Sequence, residues 1–318
     1  MNGFNRAIRV QNPWIDRLIL GATILLAILW VIPALWIVSL SFRPNFLLMR
    51  STAGVLPIPF TTENYELILR LSRVPGWFFN SAMTALLMTT MVLVVSSLAG
   101  YAFARISFPG RRILFIFVLT GLMVPEQAVF IPLHTMFADL GLHNTYVALA
   151  TPRVAVPIGV FLMTQFFRAV PREIEEAAEL DNASRFTIFW KIMLPLAIPA
   201  LTTLGLFTFL HAWNDFLWPL VSATDDDSYT VTVGLASIQS NYAQTEGLGM
   251  VMASAVLASL PVFILYLIFQ RYIVSGVSME AAADFLRHGR AGRTRPQCRQ
   301  RNIRRAGTRW CSKGVRLK

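Results

Sequence analysis

Six stretches of the chain are long and apolar enough to cross a lipid bilayer, and that property excludes most folds otherwise open to it. They run approximately Leu18 to Leu40, Ala82 to Ala104, Ile113 to Leu133, Thr145 to Phe167, Ala197 to Val221 and Val251 to Ile273. A spanning helix needs roughly 20 mostly apolar residues, because each adds about 1.5 Å against about 30 Å of hydrocarbon. The expected fold is therefore all-α, a polytopic membrane protein with six transmembrane helices. Composition agrees, with 55% hydrophobic and 14% charged residues, where a soluble domain carries about 25% charged. The first stretch is too long for a secretory signal and lacks a small-residue cleavage site, so it reads as an anchor helix.

The net charge of +11 would suggest nucleic-acid binding if it were spread over the chain, but it is not. From Arg271 onward there are 13 Lys and Arg against 2 acids, and the residues before it hold 15 of each sign. Both cysteines, Cys298 and Cys311, also lie in this tail, so the membrane part has no disulfide framework and no thiol metal site. The stretch after Leu286 loses apolar periodicity and is Arg-rich, which reads as disorder. Its Arg-rich character suits a patch for anionic lipid headgroups, and specific nucleic-acid recognition is not expected.

Short loops rich in Lys and Arg stay cytoplasmic, and the loops here alternate under that rule. Arg6, Arg9 and Arg17 precede the first span, Arg105, Arg111 and Arg112 follow the second, and Arg168, Arg172, Arg185 and Lys191 lie between the fourth and fifth. The loops His134 to Asn144 and Ser222 to Met250 contain neither residue and read as external. The segment Ser41 to Ser81 holds four Arg but is long enough to form an exported cap. Both termini then lie in the cytoplasm, as does the loop 168–196. The chain divides into 1–76, comprising the N-terminus, first span and external segment; a core, 77–276, with five spans; and the basic tail 287–318.

That loop contains EEAAELDNASRFTIFWKIMLPLAIP, an acidic interruption in a hydrophobic chain. Pro171 suits a first helical turn, and Glu173, Glu175 and Glu176 lie where the helix dipole favours negative charge. The helix should stop near Asp181 and Asn182, since Asn accepts the left-handed conformation at a helix end. A second helix from about Ser184 should run until Pro195, whose ring opposes continuation. The result is a helix-turn-helix elbow. Ala177 and Ala178 would let another backbone approach closely, and Glu176 offers an acceptor. The alternative, a helix lying on the bilayer surface, fits poorly because acids dominate and apolar bulk is sparse before Phe186.

Glu176, Ala177 and Ala178, followed by Ile192 and by Leu194 and Pro195, resemble the cytoplasmic motif in permease subunits of binding-protein-dependent ABC importers. The family's Gly is replaced by Asn182, which also tolerates positive φ. The likeness covers roughly Trp77 to Gly276, through FFNSAMTALLMTT, AGYAFARISFPGRR, MVPEQAVFIPLHTMFADLGLHNTY and HAWNDFLWPL, and is specifically to the smaller six-span permease of maltose-type carbohydrate importers. The resemblance implies the type I ABC importer permease fold, and against the family's usual end soon after the last span the stretch after Leu286 reads as an out-of-frame extension. It also implies a second permease subunit as heterodimer partner, separate ATP-binding ATPase subunits, an extracellular or periplasmic solute-binding protein and a carbohydrate substrate, in the bacterial inner membrane. Glu176, Ala177, Ala178, Asp181, Asn182, Ile192, Leu194 and Pro195 would form the ATPase-coupling loop.

No phosphate-cradling GxxxxGK[ST], HExxH or GxSxG pattern occurs, so the chain is not expected to be an enzyme or to hold a cofactor or metal. A membrane-embedded enzyme using Glu126, His134 and Asp215 is the alternative from another class. Ionisable residues inside spans are costly and turn toward protein or water, which makes Glu126, Arg153 and Asp215 candidates for a translocation path. Their alternative is a structural ion pair, for instance Glu126 with Arg153. His211, Trp213 and Asn214 join the candidates, since Trp213, Phe216 and Trp218 could stack on a sugar ring; aromatics near a span's end also form interfacial belts. No Lys or Arg cluster lies within a span, which suits a sugar, with a polyol, glycerol phosphate or peptide as alternatives. Asp225, Asp226 and Asp227 read as a solvated external loop, and Thr and Val alternating after Tyr229 read as a short strand.

Overall fold

A computed structural model describes residues 13–48, 58–70, 73–242 and 247–291. Its long elements are helices, in the order α1 (Pro13–Ser41), α2 (Glu63–Arg70), α3 (Val74–Arg105), α4 (Arg111–Thr120), α5 (Phe130–Asp139), α6 (Tyr146–Ala150), α7 (Pro157–Ala169), α8 (Arg172–Leu180), α9 (Arg185–Ile188), α10 (Ile198–Asn214), α11 (Leu217–Ser222), α12 (Val231–Tyr242) and α13 (Leu248–Ala291). Among the described residues no strand occurs. Among the described residues, those up to Gly276 form one compact unit and those from Val277 onward belong to another. Both cysteines and the basic tail beyond Ala291 lie outside the described residues.

Among the described residues three helices are long and apolar enough to cross a membrane: Arg17–Ser41, Val74–Arg105 and Leu248–Gln270. Three further pairs of helices are apolar enough only when taken together and are bent at a short break, as a broken span or a re-entrant loop would be: Arg111–Met123 with Glu126–Asp139 at 93°, Tyr146–Arg153 with Pro157–Ala169 at 55°, and Arg185–Leu196 with Ile198–Asn214 at 73°. The expected third and fourth spans are thus not continuous helices. Pro125 and Pro157 follow the breaks, and a proline biases the residue before it away from helical geometry; Val124 has ψ 116 and Val156 has ψ 108. The expected fifth span, Ala197 to Val221, also breaks at Asp215 and Phe216, between α10 and α11.

The central helix is α3, against which α7 and α10 pack closely. Small residues make that approach possible: a Cβ on Gly100 would lie 2.6 Å from the Met163 Cβ, and one on Gly159 2.5 Å from the Ser96 hydroxyl. Where lipid gives helices no hydrophobic reason to associate, such close contact supplies the packing energy. The principal core, with Met88, Val92, Tyr101, Met163, Phe167 and Met193 among its members, forms along these helices.

The start of α3 gathers the segments read as external. Trp77 Nε1 donates to the Asp226 carbonyl at 2.7 Å, Asn80 Nδ2 donates to the Asp227 and Tyr229 carbonyls, and Arg73 pairs with Asp226. Asn144, at φ 62, joins through Thr224 and Asp225. The three aspartates are therefore tied into the structure as well as solvated. Residues 231–242, whose opening was read as a strand, form helix α12. Its first amide, Val231 N–H, donates to Ser81 Oγ, and Val231 and Val233 are buried at 1% and 3% exposure. Burial against α3 overrides the weak preference of β-branched residues for strands.

Candidate functional site

The elbow lies at the finish of α3. Helix α8 begins after Pro171 and ends in two hydrogen bonds, Ala183 N–H to the Ala178 carbonyl and Asn182 N–H to the Glu179 carbonyl. That paired reverse bonding requires a left-handed residue at the turn, and Asn182 supplies it at φ 57. The Ser184 hydroxyl then accepts from Thr187 N–H and starts the second arm. The arm runs as α9, a π-helical turn Phe189–Met193 and a last turn Leu194–Leu196. The expected stop at Pro195 is displaced. Proline fits within the turn's first residues, where its missing donor is not needed, and the chain bends by 73° after Leu196 instead.

The two faces of α8 differ in kind. Glu175 and Ala178 are buried, whereas Glu173, Glu176, Ala177 and Leu180 are exposed. Ala178 belongs to the principal core, which corrects the expectation that it offers a partner a close approach; helix phase turns it inward while Ala177 remains outside. Leu180 is 84% and Phe186 70% exposed, so the outer face of the elbow combines acids with apolar side chains. No local pattern marks Leu180 and Phe186 as exposed, because their exposure depends on what the rest of the chain covers. Asp181 caps α8 and is exposed, and Ile192 and Leu194 pack partly buried against the core.

The elbow is fixed to the bundle at its root. Arg105 Nε lies 2.7 Å from Glu175 Oε1, and Arg105 Nη2 donates to the Val170 carbonyl at 2.5 Å. Burial pushes the Glu175 carboxyl above its usual range, and the Arg105 guanidinium pulls against that shift. Tyr101 packs edge-on against Phe167 at 5.8 Å and beside Phe189 at 5.2 Å, joining α3, α7 and the second arm. The sequence contained the signal for this root, a basic residue ending a span and an acid in the elbow, but not their pairing.

Toward the other end, Arg153 pairs with Glu126 and, at 2.5 Å, with Asp215. The structure thus brings three candidate path residues into one node and makes the alternative Glu126–Arg153 pair. Asn214 and His211 are exposed on α10, Asn214 donating to the Leu210 carbonyl. Trp213 is buried at 4%, stacks on Phe209 and donates to the Ala258 carbonyl; Trp218 is buried at 1% and donates to the Ala148 carbonyl. Their rings face protein, which removes both from a sugar-stacking surface in this conformation. Among the described residues no cluster of three or more His, Cys, Asp and Glu could hold a metal ion.

Residues 93–279 match the family described as binding-protein-dependent transport system inner membrane component. The chain is 34% identical over 274 residues to the arabinooligosaccharides transport system permease protein AraQ of Halalkalibacterium halodurans, covering 85% of this chain and 98% of that one. It is 37% identical over 270 residues to the trehalose/maltose transport system permease protein MalG of Thermococcus litoralis, covering 83% and 95%. The diacetylchitobiose uptake system permease protein NgcG of Streptomyces coelicolor is 32% identical over 275 residues, covering 83% and 89%. In fold the chain resembles a crystal structure of a bacterial ABC transporter involved in import of the acidic polysaccharide alginate, with TM-score 0.68, 23% identity and coverage of 81% and 95%.

Proposed function

We propose, from the premise that this chain belongs to the family of binding-protein-dependent transport system inner membrane components, that it is one permease of an ATP-driven carbohydrate importer. It would pair with a second permease as a heterodimer, receive solute from an extracellular or periplasmic binding protein, and take its energy from separate ATPase subunits. Both termini and the elbow would lie in the cytoplasm of a bacterial cell, with the chain crossing the inner membrane.

The elbow carries this reading. Its outer face, with Glu176, Ala177, Leu180 and Phe186 exposed, suits a groove on a second protein. Its inner face, through Glu175, Ala178 and Phe189, is continuous with the bundle core. A displacement applied outside would therefore move α3, α7 and the second arm as one body, because packed interiors transmit strain and do not absorb it. Alternating access follows if ATP binding closes the ATPase pair and draws two such elbows together. The named substrates of the relatives, all oligosaccharides or disaccharides, support carbohydrate as the solute class. Glu126, Arg153, His211, Asn214 and Asp215 remain the proposed polar positions along the path.

The test is reconstitution with the second permease and the ATPase. Glu176→Lys should abolish uptake of labelled oligosaccharide while leaving the chain in the membrane, and a cross-linker at Ala177 should capture the ATPase. Normal uptake by that variant removes the docking role. Competition by polyols, glycerol phosphate or peptides, with none by sugars, reassigns the solute.

A further inference from the structure

The three charged residues of the node come from different helices, yet each stands at a break in its own span. Glu126 is the first residue after the break at Val124 and Pro125, Arg153 ends the turn before the break at 154–156, and Asp215 occupies the break between α10 and α11. The pieces beyond these breaks have a small core of their own, built from Phe137, Ala148 and Trp218 with Phe130, Leu133 and Val221 around them. Trp218 Nε1 donates to the Ala148 carbonyl, and Asn144 N–H donates to the Ser222 carbonyl, so these pieces are bonded to one another. The unit also reaches α3, through Ala150 in the principal core and through the Tyr146 hydroxyl, which donates to Asn80 Oδ1 at 2.7 Å.

We propose that Arg153 is a positioning residue for transport, a clasp that closes the unit beyond the breaks onto α10. Its pairing with Glu126 lies within that unit, and the Arg153 guanidinium carbon sits 5.8 Å over the Phe130 ring of the same unit. Its pairing with Asp215 crosses to the end of α10, whose Asp215 carbonyl accepts from Thr232 Oγ1 at 2.5 Å. The Arg153 and Asp215 side chains are each 11% exposed and Glu126 is 39% exposed, so the crossing pair is the drier of the two. A charge pair withdrawn from water has a defined geometry and little tolerance for half-open arrangements. With a break in each of the three segments that meet at the node, opening the Arg153–Asp215 contact frees the outer unit to turn about its remaining contacts with α3 while Glu126 retains the guanidinium.

Such a clasp would act whichever solute the transporter carries. The assembled transporter, with Cys298 and Cys311 replaced by Ser, carries spin labels at Ala138 in the outer unit and Val94 on α3, both exposed. Without nucleotide the unsubstituted clasp should give one narrow label distance that shifts on ATP binding. Arg153→Gln should broaden the nucleotide-free distribution and lower solute uptake by about tenfold or more while ATP hydrolysis continues, since a buried carboxylate loses its counter-charge. Arg153→Lys, which keeps the charge without the two-sided fork, should give intermediate broadening. A wild-type-like narrow distance in either variant overturns the clasp, and if Arg153→Gln fails to accumulate, Arg153→Lys decides alone. Absence of carbohydrate uptake by the unsubstituted transporter would instead refute the proposed solute and leave the distance measurement standing.

Discussion

Arg105 at the end of α3 and Glu175 in the elbow form an ion pair at 2.7 Å, with side chains only 5% and 11% exposed. No other charge pair joins the elbow to the bundle among the described residues, and its burial makes it sensitive to losing either partner. Arg105→Ala leaves a carboxylate in a dry site and should destabilise the protein by about 3–5 kcal/mol. Glu175→Gln keeps the shape, removes the charge and should be milder. Thermal unfolding of the detergent-solubilised chain ranks the two, and midpoints equal to the parent's in both variants would show that the pair contributes nothing.

The same carboxyl sets a pH response. Because burial raises the Glu175 pKa in the folded protein, the unfolded chain releases this proton first as pH rises. The stability it contributes is complete below the ordinary carboxylate range and is lost as pH rises from there through the raised folded value. Unfolding midpoints measured across pH 4 to 7 should fall over that window in the parent and flatten in Glu175→Gln. A parent profile that rises by the same amount would reverse the assignment.

Asn182 holds a left-handed turn at φ 57, where a glycine would be free of strain. Asn182→Gly should be neutral or stabilise by up to about 1 kcal/mol, and Asn182→Val, with a branched Cβ in that conformation, should cost about 1–2 kcal/mol. Hydrogen exchange at the Ala183 amide, which closes the turn on the Ala178 carbonyl, should speed up in the valine variant alone.

The crossing of α3 and α7 has no room for a larger side chain. A Cβ at Gly100 meets Met163 Cβ at 2.6 Å and backbone atoms of Met163 and Thr164 at 3.0 Å, so Gly100→Val should destabilise at the upper end of about 1–3 kcal/mol and reduce accumulation in the membrane. Gly76 has nothing within 4 Å of its Cβ position, and Gly76→Ala should behave as the parent in the same accumulation assay.

At the start of α3, exposure separates two contacts that look alike on paper. The Arg73 and Asp226 side chains are 50% and 53% exposed, so Arg73→Ala should change stability by less than about 1 kcal/mol, and less again at high salt. Trp77 is 6% exposed, spends its indole donor on the Asp226 carbonyl and packs over Gly234, so Trp77→Ala should cost about 3–5 kcal/mol. Unfolding midpoints at low and high salt distinguish the two.

Local rules made much of this legible. Apolar runs gave the spans, because hydrocarbon thickness fixes their length whatever they pack against. The elbow's limits were readable too, since Pro171, Asn182 and Ser184 act through their own backbone geometry and nearest neighbours. The strand reading after Tyr229 failed because alternation of Thr and Val weighs less than burying Val231 and Val233 against α3. Leu180 and Phe186 were missed as an exposed pair because exposure depends on what the rest of the chain covers.

Sequence alone therefore determined that this chain is an all-helical membrane protein with an acidic elbow between its fourth and fifth spans, because hydrophobic length and turn chemistry act within a few residues. Tertiary structure decided that Ala178 faces inward while Ala177 faces out, and that Glu175 meets Arg105. It also decided that Glu126, Arg153 and Asp215 converge from three separate breaks. Those relationships depend on helix phase and on contacts between residues far apart along the chain, which no local pattern encodes.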